Sequence, residues 1–375
     1  MYYDCFIINI WNFKKYLLAY EFNGFISFFI DQLHKMWYNY RGLMKGADTM
    51  NIREIIENKE NLTLSEFAAK SVNSKGREIY EEPDEMRTCY ARDRDRIIHS
   101  HAFRREKHKT QVFILPNNDH IMDRLTHTLE VNQVAKTIAV ALSLNETLAE
   151  AIALGHDTAH TCFGHAGESA LNELSKKYGK HGYSHAEEAK RRLNLLSGLN
   201  LTTETMDGIL KHSGLSNTPS AITLEGQIAP FADKIAYLTS DFENAISMGL
   251  IGGFEELPKE ITNTLGLTKR EMINTLIKSI INNSYNKPFI SMDEEIYEAF
   301  KEFREFNFKN IYYNPVLVES NKRCKLIVNS LFEYYLTYPD KLPEITEKND
   351  MVQSVIDYIS GMTDKYALEK FNSLL

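Results

Sequence analysis

The sequence is poor in cysteine: Cys5, Cys89, Cys162 and Cys324 are the four in 375 residues, and no two form a CxxC pair. That excludes a disulfide framework and a zinc ribbon, and it fits a reducing cytoplasm, the expected location. An excess of basic charge is also missing, since 43 Lys and Arg stand against 51 Asp and Glu for a net charge of −8. Binding to nucleic acid or anionic membrane through bulk electrostatics is thereby excluded, so any phosphate site has to be built locally. No GxxxxGK is followed by Ser or Thr, which excludes a P-loop NTPase. Internal repeats, low-complexity tracts and runs of alternating strands are absent.

Long apolar runs are lacking too. Residues 1–49 hold both tryptophans and 14 of the 42 aromatics, yet their longest uncharged runs, Cys5–Phe13 and Phe22–Ile30, are nine residues each. A membrane span needs about 20 apolar residues, so no membrane partner is expected. A signal peptide fits poorly, because Asp4 comes early and no small-residue cleavage site follows an apolar stretch. The segment 1–49 reads as an extension outside the fold, with the functional chain beginning at Met50.

What is present is helical periodicity and histidine. The stretch HTLEVNQVAKTIAVALS (127–143) sets Val131, Val134, Ile138 and Ala141/Leu142 at helical spacing. Asn145 then opens a second helix, which runs towards GHD at 155–157. Segment 223–249 is a long helical pattern that Pro230 is expected to kink or interrupt. Residues 291–312, 315–336 and 350–374 continue the pattern, and short β pieces are expected near 111–115. The class is all-α. Eleven of the twelve histidines fall between His99 and His212, which points to chemistry in that third of the chain.

GHDTAHTCFGHAGE (155–168) puts three histidines and two acids within fourteen residues. On a helix, His156 and His160 would share a face. Imidazole nitrogen and carboxylate oxygen converging is what a metal site needs, and His156-Asp157 supplies two ligands at once. Two more have to come from elsewhere. The candidates are His127, at the start of the preceding helix, and Asp233, whose apolar neighbours Phe231, Ala232, Ile235 and Ala236 would bury a carboxylate that needs a partner. His99, His101 and His108 read as packing or surface residues, and His212 is undecided. The eight Lys and Arg of 87–109 read either as a solvated face or as contacts to a triphosphate or effector.

The order H…HD…D resembles the HD superfamily of metal-dependent phosphohydrolases, and more narrowly the deoxynucleoside triphosphate triphosphohydrolases. The resemblance is carried by RTCYARDRDRIIHSHAFRREKHKTQVF (87–113), DRLTHTLEV (123–131), AIALGHDTAHTCFGHAGE (151–168), GYSHAEEAKR (182–191), GILKHSG (208–214) and LEGQIAPFADKIAYLTSDFENAI (224–246). It runs from Met50 to GMTDKYALEKF near the C-terminus. It implies a helical segment over 50–110, an HD core over 111–250 and a C-terminal helical region over 251–375 packed on that core.

Residue by residue, the resemblance implies that His127, His156, Asp157 and Asp233 ligate one divalent ion (Mn, Mg or Fe). His165 and Glu168 match a catalytic histidine and its acidic partner, and His185 a further active-site histidine. Arg124 matches a triphosphate-binding arginine. Lys234, Tyr237 and Asp241 match residues holding phosphate and the deoxyribose 3′-hydroxyl, and Gln111 one that contacts sugar or base. The implied substrate is a dNTP, dGTP by default, cleaved to deoxynucleoside and triphosphate. A homo-oligomer (tetramer or hexamer) and a dNTP or single-stranded DNA effector are implied as well. An HD hydrolase of a monophosphate, cyclic nucleotide or alarmone, and a nucleotide-binding regulator, are the alternatives. The sequence departs from the family pattern at Thr158-Ala159, where Leu-Gly is usual, at Cys162 in place of proline, and at Pro230 and Ser240; none removes a catalytic group.

Overall fold

Apolar side chains at helical spacing, each run opened by a capping side chain, set the architecture. The computed structural model describes residues 51–114, 118–214 and 216–374; the expected extension over 1–49 lies outside them. In chain order the helices that build the site are α1 (Cys89–His99), α2 (Arg124–Ala141), α3 (Glu146–Gly155), α4 (Gly164–Lys177), α5 (His185–Lys190), α6 (Thr203–Leu210) and α7 (Leu224–Ser247). The C-terminal region adds α8 (Glu294–Asn307), α9 (Pro315–Thr337), α10 (Met351–Ser360) and α11 (Asp364–Asn372). Among the described residues there is no strand, only isolated bridges between Arg77 and Thr202 and between Thr110 and Asp123. The all-α expectation holds. The β piece expected near 111–115 is not formed over 111–114, where the backbone only bends. A strand needs a ladder partner, and the Thr110 amide is given instead to the carboxylate of Asp364.

Helix α2 starts at Asp123, whose carboxylate accepts from the Thr126 amide at 2.8 Å, and α3 starts at Asn145, which caps Thr147 and Leu148. Val131, Val134 and Ile138 of α2 share a buried cluster with Ile228, Phe231, Ile235 and Leu238 of α7. That pairing brings the N-terminal turn of α2 beside the middle of α7. A second cluster joins α1, α3 and α6 through Ile97, Ile152 and Ile209. A third ties α4 to α9 and α10 through Leu171, Leu331, Phe332 and Ile359.

Three local expectations are corrected. Helix α7 runs unbroken through Pro230. A proline in a helix interior costs about 3 kcal/mol, whereas each large buried apolar side chain of the α2–α7 seam contributes about 1.5–3 kcal/mol, so tertiary burial outweighs one lost bond. His156 and His160 do not share a helical face, because α3 ends at Gly155 and residues 156–159 form a turn. The helix expected over 350–374 is two, α10 and α11, parted by Gly361, Met362 and Thr363; the Thr363 hydroxyl caps α11 by accepting from the Tyr366 amide at 3.2 Å.

Candidate active site

The start of α2, the end of α3 and the middle of α7 bring four side chains together. His127 Nε2 lies 3.2 Å from Asp233 Oδ1 and 3.6 Å from Asp157 Oδ2. His156 Nε2 lies 3.5 Å from Asp157 Oδ2 and 3.8 Å from Asp233 Oδ1. The His156 Nδ1–H donates to the Ala153 carbonyl at 2.6 Å, which leaves the Nε2 lone pair pointing at the two carboxylates. Neither His127 Nε2 nor His156 Nε2 has a hydrogen-bond partner, and both are buried. Two orphaned imidazole nitrogens facing two carboxylates are a donor set that fits a divalent cation.

The electrostatics agree with that fit. Burial alone would raise the Asp157 carboxyl, but the Arg124 guanidinium and the surrounding histidines outweigh it and hold it well below the usual range. Asp233 is likewise held low against burial, by Lys234 and His127. Burial keeps His156 below the ordinary imidazole value. Both acids are therefore ionised and His156 is neutral at neutral pH, the states in which they bind metal.

Beside this quartet lies a second group. Glu168, on the first turns of α4, takes His165 Nδ1 at 2.9 Å on one oxygen and His185 Nδ1 at 2.8 Å on the other, and the His185 amide also donates to it at 2.9 Å. Burial would raise Glu168, but those two imidazoles outweigh it and hold the carboxyl well below its ordinary range. The His165 side chain is 74 % exposed and so accessible to a bound molecule. His160 is buried, stacked on His185 with ring centroids 4.0 Å apart, and burial keeps it neutral.

Both groups open into one cavity of about 550 Å³. Its walls include Gln111, Arg124, Asp157, His165, His185, Asp233, Lys234, Tyr237 and Asp241, so it brings most of the sequence-derived site residues into one space; His127, His156 and Glu168 lie behind them. Arg124 is almost fully buried, paired to Asp157 and donating to the Thr110 carbonyl at 3.0 Å. Lys234 donates to Asp233 Oδ2 at 2.9 Å and to the His212 carbonyl at 3.1 Å. Burial raises the Asp241 carboxyl to about 7, and the Tyr312 hydroxyl donates to it at 2.8 Å.

The sequence leaves His212 undecided and does not point to Arg304 or Tyr312. His212 is buried between His156 and His185, with its Nε2 3.2 Å from His185 Nε2. Arg304 and Tyr312 come from the C-terminal region; Arg304 stacks over Phe308 at 4.5 Å and its Nε has no partner. Their signal was weak, since nothing near either carries a metal or nucleophile pattern. The basic stretch 87–109 resolves mainly as local pairing, with Arg87 on Asp84, Arg92 and Arg96 on Glu81, and Arg94 on Asp95; none of its residues lines the cavity. His99, His101 and His108 are exposed. At the Thr158–Cys162 departures, Thr158 donates its hydroxyl to the Gly155 carbonyl at 2.7 Å, and Cys162 is fully buried. Ser240 donates to Glu130.

An all-α fold with this H…HD…D quartet defines an HD-domain, metal-dependent phosphohydrolase. The HD domain matches residues 124–238 and the phosphohydrolase-associated domain residues 290–373. A deoxyguanosinetriphosphate triphosphohydrolase-like protein of Clostridium perfringens (strain SM101 / Type A) is 48 % identical over 335 residues, covering 87 % of this chain and 98 % of its own. One of the same description from Caldanaerobacter subterraneus subsp. tengcongensis is 48 % identical over 333 residues, covering 87 % and 96 %. A solved structure of a hypothetical protein from Aquifex aeolicus aligns with a TM-score of 0.42 at 16 % identity, over 74 % of this chain and 67 % of that one. The chain belongs to the deoxyguanosinetriphosphate triphosphohydrolase-like family. Among the described residues no helix is long and apolar enough to cross a membrane.

Proposed function

We propose that this protein hydrolyses a deoxynucleoside triphosphate, dGTP by default, to deoxynucleoside and inorganic triphosphate. The observation that carries the reading is the strip Asp233, Lys234, Tyr237 and Asp241 on α7, which runs from the His/Asp quartet along the wall of the same cavity. A nucleotide laid along that strip puts phosphate by Lys234 and Arg124 and its sugar by Tyr237 and Asp241. Gln111, on the opposite loop, meets sugar or base. Arg304 adds a third cation to a cavity wall that also holds Asp157, Asp233 and Asp241; the side-chain charges are about balanced, and a bound divalent ion would supply the excess positive charge that a triphosphate needs.

His127, His156, Asp157 and Asp233 would hold one divalent ion, and two imidazoles with two carboxylates suit manganese, magnesium or iron. Bound there, the ion supplies Lewis-acid polarisation of the α-phosphoryl group. The remaining work falls to side chains. Water attacks the α-phosphorus: a new P–O bond forms as the water's proton is lost to solvent, the P–O5′ bond breaks with a proton delivered to O5′, and triphosphate and nucleoside separate. The 5′-oxygen is a poor leaving group and needs a proton; on this reading His165, which lines the cavity and is held by Glu168, gives it. His185, on the other oxygen of the same carboxylate, borders the phosphate region.

The test is product analysis. The purified protein with Mn²⁺ is incubated with each dNTP, singly and mixed, and products are resolved by anion exchange. Inorganic triphosphate is expected. Pyrophosphate or a nucleoside monophosphate would overturn attack at the α-phosphorus, and binding without turnover would favour a regulator.

A further inference from the structure

The sequence motif GMTDKYALEKF (361–371) lies far from every residue assigned above, yet its aspartate reaches the site's supporting loops. Asp364 is the first residue of α11 and is 2 % exposed. Its Oδ1 accepts from the Phe163 amide at 2.7 Å. Its Oδ2 accepts from the Thr110 amide at 2.8 Å and also from the Thr110 hydroxyl. One carboxylate thus takes three hydrogen bonds from two loops that are 53 residues apart, a count that follows from positions 110 and 163.

Both loops lead straight into the site. Thr110 precedes Gln111, and Phe163 is two residues before His165. Phe163 has φ +60° and ψ +25°, the left-handed region that a bulky residue occupies only when its surroundings enforce it. The loops are pressed together: a Cβ on Gly164, itself at φ +53°, would stand 3.2 Å from the Gln111 carbonyl and 3.3 Å from that of Thr110. On the other side the buried ammonium of Lys109 donates to the His160 carbonyl, and at 3.2 Å to the Ser360 carbonyl of α10. The 109–111 and 160–165 segments are therefore fastened to each other and to the C-terminal helices by the same pair of buried side chains, Lys109 and Asp364.

We propose that Asp364 is a positioning residue of the site, clasping the loop that presents His165 to the loop that presents Gln111, so that the C-terminal region sets the geometry of proton delivery without touching substrate. The inference rests on the reading of His165 as proton donor. A purely architectural Asp364 would cost stability and leave the folded enzyme's turnover alone. A positioning Asp364 costs turnover itself, since a misplacement of about 1 Å at a reacting group loses up to about 100-fold.

The experiment compares full-length wild type, Asp364→Asn, Thr110→Val and Thr110→Ser, loaded with Mn²⁺ and assayed well below each melting point. Amide exchange is followed in parallel at Thr110 and Phe163. Asp364→Asn turns one acceptor oxygen into an NH2 group facing N–H donors. We expect its kcat to fall roughly 10- to 100-fold with a much smaller change in KM, unchanged metal content, and faster exchange confined to the two loops. Thr110→Val should lose several-fold and Thr110→Ser should recover it. Wild-type kcat in Asp364→Asn, or unchanged exchange at both amides, overturns the proposal. If Asp364→Asn does not fold, equal kcat in Thr110→Val and Thr110→Ser overturns it instead. If wild type releases no triphosphate, the functional reading fails, and the exchange comparison still decides whether Asp364 clasps the loops.

Discussion

His212 Nε2 and His185 Nε2 lie 3.2 Å apart, and each ring's other nitrogen is already committed: His212 Nδ1–H donates to the Ile209 carbonyl at 2.6 Å, and His185 Nδ1 meets Glu168 at 2.8 Å. The contact is a hydrogen bond only when one Nε2 carries a second proton, and because burial holds His212 at about 3, well below the usual imidazole value, His185 is then the donor and His212 the acceptor. It orients His185 from behind.

The first prediction concerns that contact. His212→Phe keeps a ring against His156 but removes the acceptor. A hydrogen bond to a charged or strongly polarised group is worth about 1.5–3 kcal/mol, which corresponds to a loss of roughly 10- to 100-fold in turnover. Metal content should change little. Product release and metal analysis on one preparation check both, and wild-type turnover would remove His212 from the machinery.

Asp157→Ala should abolish metal retention and turnover together. It should also destabilise the metal-free protein by about 3–5 kcal/mol, because Arg124 is left as a buried, unpaired cation. Denaturant melts with excess chelator isolate that second effect. A variant that still binds Mn²⁺ would refute the ligand assignment.

Glu168→Gln removes the negative charge that His165 and His185 share and replaces one of the two acceptor oxygens by an NH2 donor. Turnover should fall by at least about 100-fold, the lower end for loss of general acid catalysis, while the Mn²⁺-induced rise in melting temperature persists. Loss of that rise would mean that Glu168 belongs to the metal site instead.

A pH prediction follows from Glu225. Its Oε1 accepts from the amides of Ala69 at 3.0 Å and Asn145 at 2.8 Å, its Oε2 is buried without a partner, and burial raises the carboxyl to about 7. Between its unfolded value of 4.5 and about 7 the folded state holds a proton that the unfolded chain releases. This group's contribution is therefore fully present below the unfolded value and falls as pH rises through that window, by up to about 1.4 kcal/mol per pH unit. Glu225→Gln should flatten the slope of stability against pH there. Parallel slopes in urea titrations of the two proteins would count against it.

Much of this was legible in the residues. The α2 and α7 helices declare themselves by apolar spacing, which sets His127 at the start of one and Asp233 among apolar neighbours in the other, while Tyr237 and Asp241 enter through the family resemblance. Misreadings occurred where tertiary packing overrode a local rule. Pro230 is tolerated because the α2–α7 seam outweighs one missing bond. His160 left the expected helical face because α3 stops at Gly155, short of the motif. His212 stayed undecided because no ligand pattern surrounds it in sequence, and Arg304 and Tyr312 were invisible because each joins the site only through the folding of distant segments.

The reach of Asp364 bears on what can be inherited as a unit. A gene cut just ahead of α11 would still encode every residue of the HD pattern. It would leave the Thr110 and Phe163 amides without the acceptor they now share. Recombination that exchanged the last helix between relatives would carry part of the catalytic geometry with it, and a late frameshift would be expected to act like a lesion in the active site.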